Sequence, residues 1–218
     1  MKGTTYIITA MLMLASGATA QTINFDSTDY STVEVYDSWT DSPLRNGRLE
    51  GNAAVIDNHL QTDTMGPVAN TSPRTAAIQR SRYASNLFGL RVNLTQPFRL
   101  TRDERYVHVL IHRPVDDSHC MLITLGRRSG RPGQSTQVEQ TWSLSATPVG
   151  RNGWYDAVFP IKGFSVDDPQ ADGIDVYSLV VCPDVTDRST TTTDFACYID
   201  QIEINNNPEP RTTTSATK

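Results

Sequence analysis

The chain has 218 residues, with 19 lysines and arginines against 24 aspartates and glutamates, and a formal charge of −5. That acidic balance excludes nucleic acid as a partner, because phosphate binding needs a basic field. Charged residues at 20% and apolar residues at 38% suit an ordinary globular domain, and no apolar run is long enough to span a bilayer.

Residues 1–20 read as a secretory signal peptide. Lys2 gives a positive start, Ile7–Leu14 an apolar core, and Ala18-Thr19-Ala20 a small-residue cleavage pattern before Gln21. The expectation is a secreted protein, periplasmic or at the cell surface, with one domain over residues 21–205.

Helical periodicity is nearly absent from that domain. Short apolar or alternating runs recur instead, at Thr22–Asp26, Thr32–Tyr36, Ala53–Ile56, Thr75–Gln79, Leu87–Leu94 and Tyr106–His112. They continue at Met121–Leu125, Gln140–Ser145, Tyr155–Ile161, Ile174–Cys182 and Cys197–Ile204. Short strands between polar turns predict an all-β fold, a two-sheet antiparallel β-sandwich of jelly-roll type. Alternation puts Phe88, Leu90, Val92 and Leu94 on one face with Arg91 and Asn93 opposite, and sets Val107, Val109 and Ile111 against His108 and His112. Trp142 alternates with Leu144 and is expected in the core, whereas Trp154, after the Asn152-Gly153 turn, is expected to cover the core edge. Beyond Asn205 the chain holds Pro208, Pro210 and then threonines, too little apolar content to fold, so 206–218 is expected to be a disordered tail.

Cys120, Cys182 and Cys197 leave two alternatives open: buried thiols, or a Cys182–Cys197 disulfide joining the ends of a hairpin. Enzymatic signatures are absent: no Gly-x-Ser-x-Gly elbow, phosphate loop or His-Glu-x-x-His motif occurs, and spacing selects no carboxylate pair. Planar polar and aromatic side chains, suited to sugar hydroxyls and ring stacking, cluster at Gln79-Arg80-Ser81-Arg82-Tyr83, with a solvated strand end and internal Arg–Asp pairs as the alternatives. Trp39, in the polar loop Tyr36–Asp41, is the tryptophan expected at the surface, with capping of the core as the alternative. Arg80, Arg82, Tyr83 and Trp39 are therefore the candidate ligand contacts.

The last strand poses a separate question. Two-residue alternation puts Asp200 with Tyr198, Ile202 and Ile204 on an apolar face, where a carboxylate needs hydrogen bonds, an arginine or a cation. Asp26 ends the first strand, and first and last strands commonly lie side by side in sandwiches, so Asp26 and Asp200 are candidate Ca²⁺ ligands, with Glu50-Gly51-Asn52 as a source of further oxygens.

Three segments carry a resemblance. Gly153-Trp154-Tyr155-Asp156-Ala157-Val158-Phe159-Pro160 with Gly163-Phe164, then Gly173-Ile174-Asp175, then Tyr198-Ile199-Asp200-Gln201-Ile202, resemble the C-terminal half of galactose-binding-like jelly-roll domains. These include carbohydrate-binding modules of glycoside hydrolases and of secreted Bacteroidetes-type proteins. The resemblance implies a non-catalytic module that binds a polysaccharide or glycan, and a structural calcium at positions matching Asp26 and Asp200. A monomer is expected. The competing readings are a structural or adhesive surface protein that contacts other proteins, and a small jelly-roll lyase or hydrolase.

Overall fold

The computed structural model describes residues 21–38, 53–101, 103–115, 118–128, 139–161, 173–185 and 194–213. Among them the chain forms strands and no helix. In order these are β1 (Gln21–Ile23), β2 (Tyr30–Asp37), β3 (Ala53–Asp57), β4 (Arg74–Arg80), β5 (Phe88–Leu100) and β6 (Arg105–His112). They are followed by β7 (His119–Arg128), β8 (Glu139–Leu144), β9 (Trp154–Ile161), β10 (Ile174–Val185) and β11 (Phe195–Asn205).

These strands make two antiparallel sheets. One runs β3-β4-β11-β6-β9, and the other β2-β5-β10-β7-β8. Along one edge of β11, β4 pairs with Phe195–Ile199 and β1 continues the edge by pairing with Ile202–Ile204. The predicted all-β, two-sheet jelly-roll sandwich is the fold observed. Its core lies between the sheets: Ile78, Val107, Val109, Ile111, Phe159 and Ile199 from the β11 sheet meet Phe88, Leu90, Val92, Leu122, Leu179 and Val181 from the β10 sheet. Each of these side chains, buried against an apolar partner, contributes about 1.5–3 kcal/mol.

Strand limits depart from the sequence reading where pairing outlasts the apolar run. β5 continues past Leu94 because Phe98 and Leu100 turn inward and pair with Val176 and Ile174 of β10. β1 stops at Ile23, where the chain turns and Ser27 N–H reaches back to the Asn24 carbonyl at 3.5 Å.

The larger correction concerns β11. Its register against β6 shifts between Asp200 and Glu203, and Gln201 there has a φ of 42°. One extra residue in a strand resets which residues point inward. Cys197 and Ile199 before the bulge and Ile202 and Ile204 after it therefore all belong to the core. Asp200 does not share the face of Ile202 and Ile204. It lies on the outer side of the sheet with Tyr198, where Asn70 covers it.

That outer side is sealed by residues 58–73, the link between β3 and β4. Trp154, Val68 and Leu110 are buried there, with Leu60 and Tyr198 packed against them. Trp154 thus sits beneath a loop on the outside of the sheet, not at the edge of the central core. The crossing is tight: a Cβ on Gly66 would stand 2.2 Å from the Trp154 carbonyl oxygen, and one on Gly153 would stand 2.3 Å from Gly66 N.

The tail expected to be disordered from residue 206 is instead docked over residues 206–213. Arg211 donates Nη2–H to Asp156 Oδ1 and its backbone N–H to Asp156 Oδ2, each at 2.7 Å. Thr213 bonds the 58–73 link through Pro67 and Ala69. A composition argument misses this because the anchor is one charge-assisted pair, not apolar burial. Beneath the tail, the fully buried His108 ring stands 2.8 Å from Asp156 Oδ2 through Nδ1 and 2.8 Å from the Asn207 carbonyl through Nε2. Both partners are acceptors, so both ring nitrogens carry hydrogen and His108 is an imidazolium. Burial depresses its pKa, but the bonds to Asp156 and Asn207 outweigh burial and hold it above the ordinary value. Burial pushes the Asp156 carboxyl up, and the bonds from His108 and Arg211 more than reverse that.

The cysteines are free and buried, with burial pushing the Cys120 thiol up to about 12. No Cys182–Cys197 bridge forms: Cys197 points into the core between the sheets, whereas Cys182 packs with Ile123, Leu125 and Val180 on the other side of the β10 sheet.

Two outcomes follow from the tail clamp. Arg211→Ala is expected to cost about 1–3 kcal/mol in urea denaturation, because it leaves a buried carboxylate short of donors. His108 has a raised folded pKa, so its stabilisation is complete below about 6.5 and is lost as pH rises through the folded value. Wild-type stability should decline over that rise, and the decline should flatten in His108→Gln.

Candidate functional site

While the outer side of the β11 sheet is covered, the outer side of the β10 sheet carries aromatic and polar side chains in register. Alternation on β2 turns Thr32, Glu34 and Tyr36 outward, since Val33 and Val35 pack on the core. Register then defines rows across the strands. Glu34 lies beside Arg91, Arg91 beside Val180, Val180 beside Ile123, and Ile123 beside Trp142. A second row runs Thr32, Asn93, Ser178, Leu125 and Gln140. A third holds Cys182, Met121 and Leu144, and a fourth holds Arg99, Asp175 and Arg127. At about 4.8 Å per strand spacing the face is about 19 Å wide, and Met121 to Arg127 spans about 20 Å along β7.

The floor is apolar and closed, with Val180, Ile123 and Cys182 fully buried and Tyr36, Tyr177 and Met121 packed beside them. Around it stands a hydrogen-bonded set. Arg91 donates Nε–H to Ser178 Oγ at 2.9 Å and faces Glu34 Oε1 at 3.4 Å. Asn93 donates Nδ2–H to Glu34 Oε1 at 3.0 Å and to Thr32 Oγ1 at 2.8 Å. Arg91 is thus anchored through Nε, and its two terminal nitrogens take no part in that anchoring. The Arg91 and Glu34 side chains keep 32% and 44% of their surface accessible.

Trp142 is the largest departure from the sequence reading. It is 62% exposed, not core. Strand β8 is the edge of its sheet, and the Gln140, Trp142, Leu144 side looks outward, away from the central core. Alternation in the sequence groups these residues correctly but does not say which group faces in. The same limit hid the face as a whole: Arg91 and Asn93 were legible as the polar side of β5, but their partners Glu34 and Thr32 come from β2, about sixty residues away.

The other sequence-derived candidates fall in separate places. Arg80 is completely buried and cannot be a surface contact. It ends β4 on the inward side after Ala76 and Ile78, donates Nη1–H to the Ser81 carbonyl at 2.7 Å, faces Asp184 at 3.6 Å and lies over the Phe88 ring. Burial lowers its pKa, against the opposing charges of Asp184 and Asp37. Arg82 and Tyr83 are exposed on the β4–β5 link, with the guanidinium 5.0 Å above the ring and Tyr83 64% accessible. They form a second small surface apart from the rows of the β10 sheet. Trp39 and Glu50-Gly51-Asn52 lie outside the described residues.

Asp200 accepts Asn70 Nδ2–H and Gln201 N–H, each at 2.7 Å. Burial pushes its carboxyl up to about 6; the bonds from Asn70, Gln201 and Ser72 pull it down, and the nearby Asp26 charge adds to the rise. Asp26 itself is exposed, in the turn after β1. In that same turn Asn24 Oδ1 is buried without a hydrogen-bond partner among the described residues. An orphaned amide oxygen and two carboxylates at the junction of β1 and β11 suit a hard, oxygen-seeking cation. Among the described residues no group of three His, Cys, Asp or Glu side chains is placed to hold a metal ion.

No protein-family model matches the chain, and no curated protein matches its sequence. Solved structures are similar to it at low identity. The CBM22-1–GH10 modules of an endo-1,4-β-D-xylanase from Clostridium thermocellum, complexed with xylohexaose, match at 11% identity and TM-score 0.43, over 76% of this chain and 26% of that one. The CBM22-1 xylan-binding domain from Paenibacillus barcinonensis matches at 10% and 0.39, over 85% and 92%. The apo form of a cyclase from Fischerella sp. matches at 13% and 0.49, over 91% and 100%.

The two tryptophans placed here separate experimentally. Trp142→Ala should change stability by less than about 0.5 kcal/mol and reduce the quencher-accessible fluorescence. Trp154→Ala should cost about 3–5 kcal/mol in denaturant.

Proposed function

We propose that the protein is a secreted glycan-binding module whose binding surface is the outer face of β2, β5, β10, β7 and β8. The observation that carries this reading is the shared row of an exposed Trp142 ring and an Arg91 guanidinium anchored through Nε alone. A sugar ring has apolar faces and a rim of hydroxyls. A flat aromatic platform takes the first, and planar groups such as Arg91, Asn93, Glu34 and Gln140 take the second. The leader-like residues 1–20 fit export, and among the described residues no helix is long and apolar enough to cross a membrane.

Titration of the domain against a panel of soluble polysaccharides tests the reading. Trp142→Ala and Arg91→Ala should each weaken binding at least tenfold, about 1.4 kcal/mol, with unchanged melting temperature. Tyr83→Ala reports on the Arg82–Tyr83 surface. If it removes binding while Trp142→Ala does not, the site moves to the β4–β5 link.

A structural Ca²⁺ at Asp26, Asp200 and Asn24 belongs to the same proposal. Its role is to join the β1 turn to β11 and offset the repulsion between the two carboxylates. A ligand bound only by the folded state adds to stability, so EDTA should lower the melting temperature of the wild type and leave Asp200→Asn unchanged. Identical wild-type melting curves with and without EDTA would remove the ion.

A further inference from the structure

The charges on the outer face are unevenly matched along the strands. Among its described residues are three arginines, Arg91, Arg99 and Arg127, and two acids, Glu34 and Asp175. Each acid already has a cation from the same sheet. Glu34 faces Arg91 at 3.4 Å, and Asp175 faces Arg99 at 3.9 Å. Arg127 is different. It is exposed, and its contact among the described residues is the face of the Tyr177 ring, 5.7 Å from its guanidinium carbon. Tyr177 in turn packs on the apolar floor with Ile123, Leu125 and Val180. A ring beneath a guanidinium orients its plane and leaves the five N–H donors directed at other partners.

Position adds to this. Arg127 ends the outward row of β7, about 13 Å along the strand from Ile123, the neighbour of Trp142. The face therefore sets Trp142 in the same row as the neutralised Arg91–Glu34 pair, the hydrogen-bonding Asn93 row next to it, and a cation at the end of the strands beyond. The protein as a whole is acidic, so this local excess runs against its average charge. A neutral polymer gains little from such a cation, because it cannot exchange the hydration of a guanidinium for a charged partner. A carboxylate gains two parallel, charge-assisted hydrogen bonds from the guanidinium fork.

We propose that the ligand of this face is an acidic glycan, a polymer bearing uronate carboxylates, and that Arg127 is the residue that receives the carboxylate. The inference rests on the glycan reading of the face and adds the charge class to it. Arg99 supports the same end of the face at longer range by holding Asp175, which would otherwise repel the incoming carboxylate.

The test uses matched probes: polygalacturonate and glucuronoxylan, each beside its own carboxyl-reduced, neutral form. Carboxyl reduction should weaken binding about tenfold. Binding of the acidic forms should also weaken between about 0.1 and 1 M salt, where the screening length falls from about 10 to about 3 Å, while binding of the neutral forms holds. Arg127→Ala should remove the difference between acidic and neutral forms and leave the remaining affinity in place. Arg127→Lys should restore part of the preference, because it keeps the charge and loses the fork. Both variants change an exposed side chain, and unchanged melting curves confirm that they fold.

Equal binding of acidic and reduced polymers, unaltered by Arg127→Ala, overturns the acidic class and leaves the glycan reading standing. No binding of any polymer, acidic or neutral, overturns the glycan reading and this inference with it. Binding of poly-L-glutamate as tight as that of polygalacturonate overturns the glycan assignment in favour of acidic protein chains.

Discussion

One extra residue in β11 decides how the β11 sheet is built. β11 is the strand to which β1, β4 and β6 are all bonded, so its register governs most of that sheet. Without the bulge at Gln201, strict alternation would send either Cys197 and Ile199 or Ile202 and Ile204 out of the core. Four buried side chains on one strand require the count to slip by one. The slip has a local cause. Asp200 Oδ1 accepts the Gln201 N–H, and the Gln201 side chain is tied to Asn70 Oδ1 and Ser72 Oγ at 3.1 and 3.0 Å. Those bonds offset the cost of a non-glycine residue at positive φ. The carboxylate that looks misplaced in the sequence is thus part of the device that keeps the core continuous.

The same device sets the two outer surfaces apart. By turning Tyr198 and Asp200 outward, the bulge gives residues 58–73 a polar and aromatic surface to dock on. Asn70, Ser72 and His59 all reach it, the last through an edge contact with the Tyr198 ring. The tail then closes over His108 and Asp156. The outer side of the β11 sheet becomes a third layer of structure and is lost as a surface. In the β10 sheet, by contrast, the shifts in the β10 pairings between Val176 and Ser178 leave Tyr177 and Ser178 both available to the outer rows, where one meets Arg127 and the other Arg91.

Much of this was legible in the sequence, and what was not has a consistent cause. The strands were legible because each is a short apolar or alternating run, and so was the two-sheet class. Inward and outward were legible for β5 and β6, where one face is wholly apolar. They were illegible wherever a bulge resets the count, as at Asp200, or where an edge strand is only half covered, as at Trp142. Arg80 misled because a guanidinium next to Arg82 and Tyr83 looks like surface, although it lies inside against the charges of Asp184 and Asp37. The docked tail escaped because its anchors are distant in sequence: Arg211 meets Asp156, 55 residues back, Asn207 meets His108, and Thr213 meets Pro67 and Ala69. Contacts between distant segments leave no periodic trace, so the outer face of the β10 sheet, assembled from five strands, could be read only in fragments.

Charged groups in this protein fall into two kinds, and the difference argues for where it acts. Two of those inside are enclosed by many partners. Arg113, fully buried, is held by Ser118 Oγ and by the carbonyls of Pro183, Ser118 and Val149 at 2.5–2.9 Å, and Asp156 is held by His108 and Arg211. Such groups are costly to bury and strongly destabilising to break, so they behave as structure. On the β10 face the pattern reverses. Arg91 is fixed at Nε only, Asn93 is fixed through its amide, and Arg127 lies on a ring. Each is oriented without being enclosed, which limits the ordering entropy that a ligand must overcome on arrival. An oriented donor with unspent capacity in the same row as an exposed tryptophan is not what a solvated sheet surface needs. It is what a surface needs if it is to hold something with both flat apolar faces and polar edges.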